Sequence, residues 1–167
     1  MKLMVQATPF HDIGKIGVSD VILLKRGPLN EDEYAIAKKH AEIGARILSK
    51  IYERTPSQAY LKYAIMMAEG HHERWDGSGY PNGLKGEEIP LCCRIMAVAN
   101  VYDACLTDRV YRKALSREEA MKVILDGSGI SFDPRVAEIM DSSRERLNEL
   151  DVEVRQMLKS WKGTPGI

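Results

Sequence analysis

This chain carries four histidines, His11, His40, His71 and His72, and their placement is its strongest chemical signal. His11 is followed by Asp12 in the string FHDIGK, between Phe10 and Ile13. His40 shares one side of a helical pattern with Ile36, Ile43, Gly44 and Ile47. His71 and His72 extend a stripe through Leu61, Ala64, Ile65 and Ala68 in steps of three and four. Taken singly, each has an ordinary reading. A core-facing histidine is commonly just hydrogen-bonded, and an isolated His-Asp dipeptide means little. Taken together, four imidazoles and a carboxylate in one interior are costly to bury as idle polar groups, whereas a metal ion satisfies them at once. Imidazole and carboxylate donors without thiolate suit one or two divalent ions of Fe, Mn, Zn, Ni or Co. Asp12 has two oxygens with which to bridge two ions, and ions roughly 3.5–4 Å apart clamp both oxygens of an in-line displacement at phosphorus. That chemistry is phosphoester hydrolysis.

The elements that must carry these residues read as helices throughout. Asn30, with Glu33 three residues later, forms a capping box that opens a helix over 31–53. A second helix is expected over 57–74. Four glycines and two prolines in 76–90 predict a long ordered loop. An apolar helix follows over 91–106, then a turn near 107–116. Ser116 with Glu119 caps a helix over 117–126, Pro134 starts another that runs through Met140, and 142–161 is an amphipathic helix. The last residues, KGTPGI, are expected to fray. Before His11, KLMVQATPF reads as the closing turns of a helix that Pro9 ends and whose start is missing. No segment alternates as a strand would. The fold class is therefore all-α.

Bulk properties exclude several partners. With 24 basic and 24 acidic side chains, no net field draws the chain to DNA, RNA or anionic lipid, so any phosphate must be held by a local pocket. At 167 residues the chain is one domain's length. No apolar run reaches the ~20 residues of a membrane span, and no secretory signal pattern opens it, so a cytoplasmic location is expected. Cys92, Cys93 and Cys105 form neither a CxxC pair nor an even set, which suits a reducing compartment and small core positions.

Longer strings carry a family resemblance. HDIGK at 11–15, His40, and HHERWDGSGYP at 71–81 look like the HD-GYP family; so do GLKGEEIPL (83–91), RIMAVANVYDA (94–104), DRVYRKALS (108–116) and SGISFDP (128–134). The similarity covers about residues 5–140. It implies an HD-domain helical bundle with a Gly-rich GYP loop, followed by a C-terminal amphipathic helix and tail over 141–167. It further implies a two- or three-metal centre that linearises cyclic di-GMP, or in some members cyclic GMP-AMP, to pGpG or GMP. By motif match, His11, Asp12, His40, His71 and His72 are metal ligands, and Asp12 and Lys15 are catalytic. Tyr80, Arg109 and Arg112 contact substrate, in keeping with the fit of arginine forks to phosphate and guanine acceptors. The loop frames the pocket and can contact a diguanylate cyclase domain. The amphipathic tail offers a surface for packing or for a homodimer.

Two departures accompany the match. The metal-ligand position on the 94–104 helix, usually aspartate, is Asn100, which offers a neutral carbonyl and one negative charge less. The family's further His and Glu ligands precede the HD pair, on first helices that the match leads one to expect outside this sequence. The Asp12, His40, His71 and His72 site thus keeps its expected ligands, while its neighbour, expected to use His11, Asp12, an upstream histidine and the Asn100 position, loses two. Three readings remain: a working phosphodiesterase, a degenerate module that binds cyclic dinucleotide or a partner protein without turnover, and an HD-type hydrolase of another nucleotide, against which the intact GYP loop argues.

Overall fold

The computed structural model describes residues 1–108 and 113–162. Helix α1 (Lys2–Ala7) stops where Pro9, which has no amide to donate, enters the 3-10 turn Thr8–Phe10. A second 3-10 turn, Ile13–Gly17, carries the chain past the His-Asp pair to the short α2 (Asp20–Leu23). The Asn30 box forms as expected: the Glu33 amide donates to Asn30 Oδ1 at 2.8 Å and the Asn30 amide to Glu33 Oε2 at 2.8 Å.

The helix expected over 31–53 is two helices, α3 (Glu31–Lys38) and α4 (His40–Arg54). The break has a local cause. The Lys39 amide reaches back three residues to Ile36 O at 3.1 Å, and the His40 ring donates Nδ1–H to Ala37 O at 2.7 Å. A side chain has taken a carbonyl of the helical ladder, so the turn tightens and His40 becomes the first residue of α4.

Helix α5 (Tyr60–Gly70) is shorter than the 57–74 expected and leaves His71 and His72 in the turn beyond it. Here too an imidazole ends the helix. His71 Nδ1 donates to Met67 O at 2.8 Å and lies 3.2 Å from Ala68 O, satisfying carbonyls of the last turn.

The remaining helices follow the sequence closely: α6 (Leu91–Leu106), α7 (Arg117–Asp126, with the Ser116–Glu119 box formed), α8 (Pro134–Ser142) and α9 (Arg144–Lys162). The expected domain boundary at 140/141 falls inside α8. The KGT PGI tail, apart from Lys162, lies outside the described residues.

The principal core joins α4, α5 and α6 through Leu48, Leu61, Ala64, Met67, Ala68, Cys92, Cys93 and Met96, with Ala7 of α1 and Ile89 added. The cysteines are buried and unbridged, as their sequence context implied. Val98, Ile124, Phe132 and Ala137 form a second cluster where α6, α7 and α8 meet. Among the described residues there is no strand, only an isolated bridge between Ser128 and Phe132. Among them, no helix is long and apolar enough to cross a membrane.

Candidate metal centre

A pair of glycines brings the His-Asp turn onto α4. A Cβ on Gly14 would lie 1.9 Å from His40 O and 2.4 Å from Gly44 N, so only glycine lets the two backbones approach this closely. Gly44 in turn admits both Gly14 and Ala68 of α5. Three chain segments thereby converge, each delivering a side chain to one point: Asp12 from the turn, His40 from the start of α4, and His71 with His72 from the end of α5.

Ligand atoms from Asp12, His40, His71 and His72 all lie within 4.8 Å of one another, a spacing that suits one metal ion. Asp12 Oδ1 stands 3.4 Å from His40 Nε2 and 3.7 Å from His71 Nε2, and those two nitrogens are 3.4 Å apart. The backbone fixes their protonation. His11, His40 and His71 each direct Nδ1 at a main-chain carbonyl (Thr8, Ala37 and Met67), which can only accept, so Nδ1 holds the proton. In neutral rings Nε2 is then a bare lone pair. Two such nitrogens and a carboxylate oxygen face one another with no hydrogen between them, and Asp12 Oδ1 is buried without a hydrogen-bond partner. Only a cation satisfies all three, and imidazoles oriented through Nδ1 to a carbonyl are the usual support of a metal site. The residues present therefore fit a divalent ion.

The electrostatics agree. Burial pushes His71 down to about 4, and burial together with neighbouring His71 and His40 pushes His72 down to about 3, so both rings are neutral donors at physiological pH. Burial acts against Asp12 ionising, but hydrogen bonds with His11 and Lys15 outweigh it and hold its carboxyl well below the usual range. Burial also disfavours the charged form of His11, yet its bonds to Asp12 and the Thr8 carbonyl raise it above the ordinary value.

The second oxygen of Asp12 faces elsewhere. Oδ2 accepts from Lys15 Nζ at 2.5 Å and lies 3.3 Å from His11 Nε2. The two oxygens of one carboxylate thus face two different groups of side chains.

Beside the centre opens a cleft of about 550 Å³, lined among others by Tyr34, His71, His72, Arg74, Tyr80 and Asn100. Tyr80 stacks on His72 with ring centroids 4.7 Å apart, and burial raises its hydroxyl well above the usual phenol range. Asn100 stands in the cleft wall formed by α6. Arg109 and Arg112 lie outside the described residues.

Sequence reasoning missed three residues here. Glu73, the buried carboxylate after the His pair, accepts the Asn82 amide at 2.7 Å and the Leu84 amide at 3.0 Å and so pins the glycine-rich loop. Arg74 donates Nε–H to Ser78 Oγ at 2.7 Å at the cleft edge. Tyr34 reaches the cleft from α3. Only Glu73 left a trace in the sequence, as an acid directly after two ligand candidates.

A family model described as HD domain matches residues 3–136. Over 132 residues the chain is 50% identical to a probable cyclic di-GMP phosphodiesterase of Vibrio cholerae, covering 78% of this chain and 30% of that protein. Over 146 residues it is 42% identical to a cyclic di-GMP phosphodiesterase of the same organism, covering 87% and 30%. The crystal structure of a cyclic GMP-AMP-specific phosphodiesterase of V. cholerae matches with a TM-score of 0.63 at 22% identity, over 93% of this chain and 42% of that one. At that identity the likeness is one of fold. The chain spans about 30% of the length of these curated relatives.

Proposed function

The chain belongs to the HD-domain family, in its HD-GYP branch, and from that membership we propose that it hydrolyses a cyclic dinucleotide, cyclic di-GMP, at a divalent-metal centre. The observation that carries this reading is the unpartnered Asp12 Oδ1 facing the bare Nε2 atoms of His40 and His71. When bound, a divalent ion supplies a Lewis acid for a phosphoryl oxygen and activates water for in-line attack.

The chain's own residues do the rest. Asp12, His40, His71 and His72 would hold the first ion, with His40 and His71 oriented by the carbonyls of Ala37 and Met67. Lys15, next to Asp12, offsets negative charge that develops on the phosphate. Tyr80 bounds the substrate, and Arg109 and Arg112 hold its phosphates or guanine. His11, Asp12 and Asn100 would hold a second ion more weakly, since a neutral amide replaces a charged ligand. Iron or manganese is the expected metal.

Asn100 favours a second reading, a degenerate module that binds the dinucleotide without turnover. Two further proposals concern partners: the 76–90 loop as a contact for a diguanylate cyclase domain, and α9 as a contact for a second copy. Residues 1–140 act as the catalytic unit with 141–167 appended, and the working compartment is the cytoplasm.

The test is turnover of cyclic di-GMP by anaerobically purified protein supplied with Fe²⁺ or Mn²⁺, with products separated by chromatography. Linear pGpG or GMP that disappears with a chelator is the expected result. Tight binding without product transfers the protein to the second reading, and neither binding nor product overturns both.

A further inference from the structure

The cleft has a second wall that the metal chemistry does not use. Helix α3 buries none of its residues, yet it is firmly placed: its capping box is complete, and Lys25 Nζ donates to Glu33 Oε2 at 2.5 Å. Tyr34 of α3 is half-exposed and lines the cleft. Its ring meets Tyr80 edge-on at 6.4 Å, and Tyr80 continues the stack onto His72. One helical turn later, Lys38 holds its ammonium 5.0 Å from the Tyr34 ring and 5.7 Å from the Tyr80 ring. Among the described residues no carboxylate stands at ion-pair distance from Lys38, whereas the ammonium of Lys15 is already committed to Asp12.

An open aromatic ring beside an unneutralised cation suits a ligand with a flat π face and an anion close to it. Tyr34 belongs to neither of the buried core clusters. We propose that Tyr34 and Lys38 clamp the half of the dinucleotide that is not being cleaved. The purine stacks on Tyr34 and its phosphate displaces the aromatic rings as the partner of Lys38. The assignment rests on the cyclic-dinucleotide reading and adds to it a specificity surface remote from the scissile bond. A phosphodiester lacking a purine and a second phosphate does not feel this wall.

The experiment compares Tyr34→Ala, Tyr34→Phe, Lys38→Met and Lys38→Arg in the Mn²⁺-loaded chain, on cyclic di-GMP and on methyl p-nitrophenyl phosphate, a small diester whose single ring is the leaving group at the scissile bond. Tyr34→Ala and Lys38→Met are expected to raise KM for cyclic di-GMP about tenfold each, the scale of one lost base stack or charged contact, with kcat little changed. Hydrolysis of the small diester stays at the wild-type level, and Tyr34→Phe and Lys38→Arg restore the dinucleotide KM. An unchanged KM in both truncated variants, or equal losses on both substrates, overturns the clamp. Should the wild-type chain turn over neither substrate, hydrolysis fails independently. The clamp is then read from calorimetric Kd values for cyclic di-GMP, where the same tenfold weakening supports it and wild-type affinity overturns it.

Discussion

Replacing Gly14 with alanine tests how the centre is assembled. The added methyl would meet His40 O at 1.9 Å and Gly44 N at 2.4 Å, and both are backbone atoms that cannot rotate away. A Cβ needs at least 3.0 Å, so the turn carrying Asp12 must retreat from α4 by about 1 Å. Metal–ligand distances tolerate only about 0.2 Å, so that retreat takes Asp12 out of reach of an ion held by His40 and His71. The overpacking itself costs about 1–3 kcal/mol. Gly17→Ala is the control: its methyl would meet only the Ile43 side chain, at 3.0 and 3.1 Å, which can turn aside. Urea unfolding of the metal-free variants, followed by Mn²⁺ titration, reads both effects. Gly14→Ala should lose stability and weaken metal binding at least about tenfold, and Gly17→Ala should lose little of either. Equal behaviour of the two variants would refute the argument that the Gly14–Gly44 approach sets the donor geometry.

Four further outcomes follow from the same contacts. Glu73→Gln keeps the shape but offers one acceptor oxygen to the amides of Asn82 and Leu84; a loss of about 2 kcal/mol and faster hydrogen exchange over residues 76–90 should result. In metal-free protein, His71 titrates near 4 when folded but near 6.5 when unfolded, so the unfolded chain binds protons first and stability falls as pH drops from 6.5 to 4, by about 3 kcal/mol for this one group. His11, raised in the fold, keeps its contribution below about 6.5 and loses it only at higher pH, and Asp12, lowered, loses its own only below the ordinary carboxylate range, so urea midpoints at pH 6 and 5 isolate His71 and His72. Asp133→Ala removes both the Arg94 ion pair at 2.7 Å and the cap of α8, for an expected 3–5 kcal/mol (about the cost of stranding a buried charge) in chemical denaturation. Asn100→Asp restores a charged ligand to the cleft wall and should raise the metal bound per chain, measured by elemental analysis, from near one toward two.

Much of the fold could be read before any coordinates. Capping boxes are local, and both Asn30–Glu33 and Ser116–Glu119 formed where their spacing said. The four histidines were also legible as a group, because each lay on an apolar stripe or next to one. Periodicity misplaced His40 within its helix, however. It assumes an unbroken backbone ladder, and the bond from the His40 ring to Ala37 O interrupts that ladder. The end of α5 was missed for a similar reason, since His71 caps it with its own side chain. The Gly14–Gly44 contact joins residues thirty positions apart, and no local pattern announces a close approach of that kind. Nothing in the sequence singles out Tyr34; only the fold brings it against Tyr80. The bridging role read for Asp12 rests on the chemistry of a carboxylate and stays a proposal. The arginines at 109 and 112 stand outside the described residues, and their part rests on the family motif.

The most direct test of the centre is an anaerobic Mn²⁺ titration of the wild-type chain beside Asp12→Ala, with circular dichroism to show that both are folded. Asp12 is partly exposed and its Oδ1 makes no hydrogen bond, so its removal should leave the helices intact. One tightly held ion per wild-type chain, lost in the folded variant, is the predicted result. A wild-type chain that binds no ion, or a variant that binds it equally well, would contradict a metal centre built on Asp12, His40, His71 and His72.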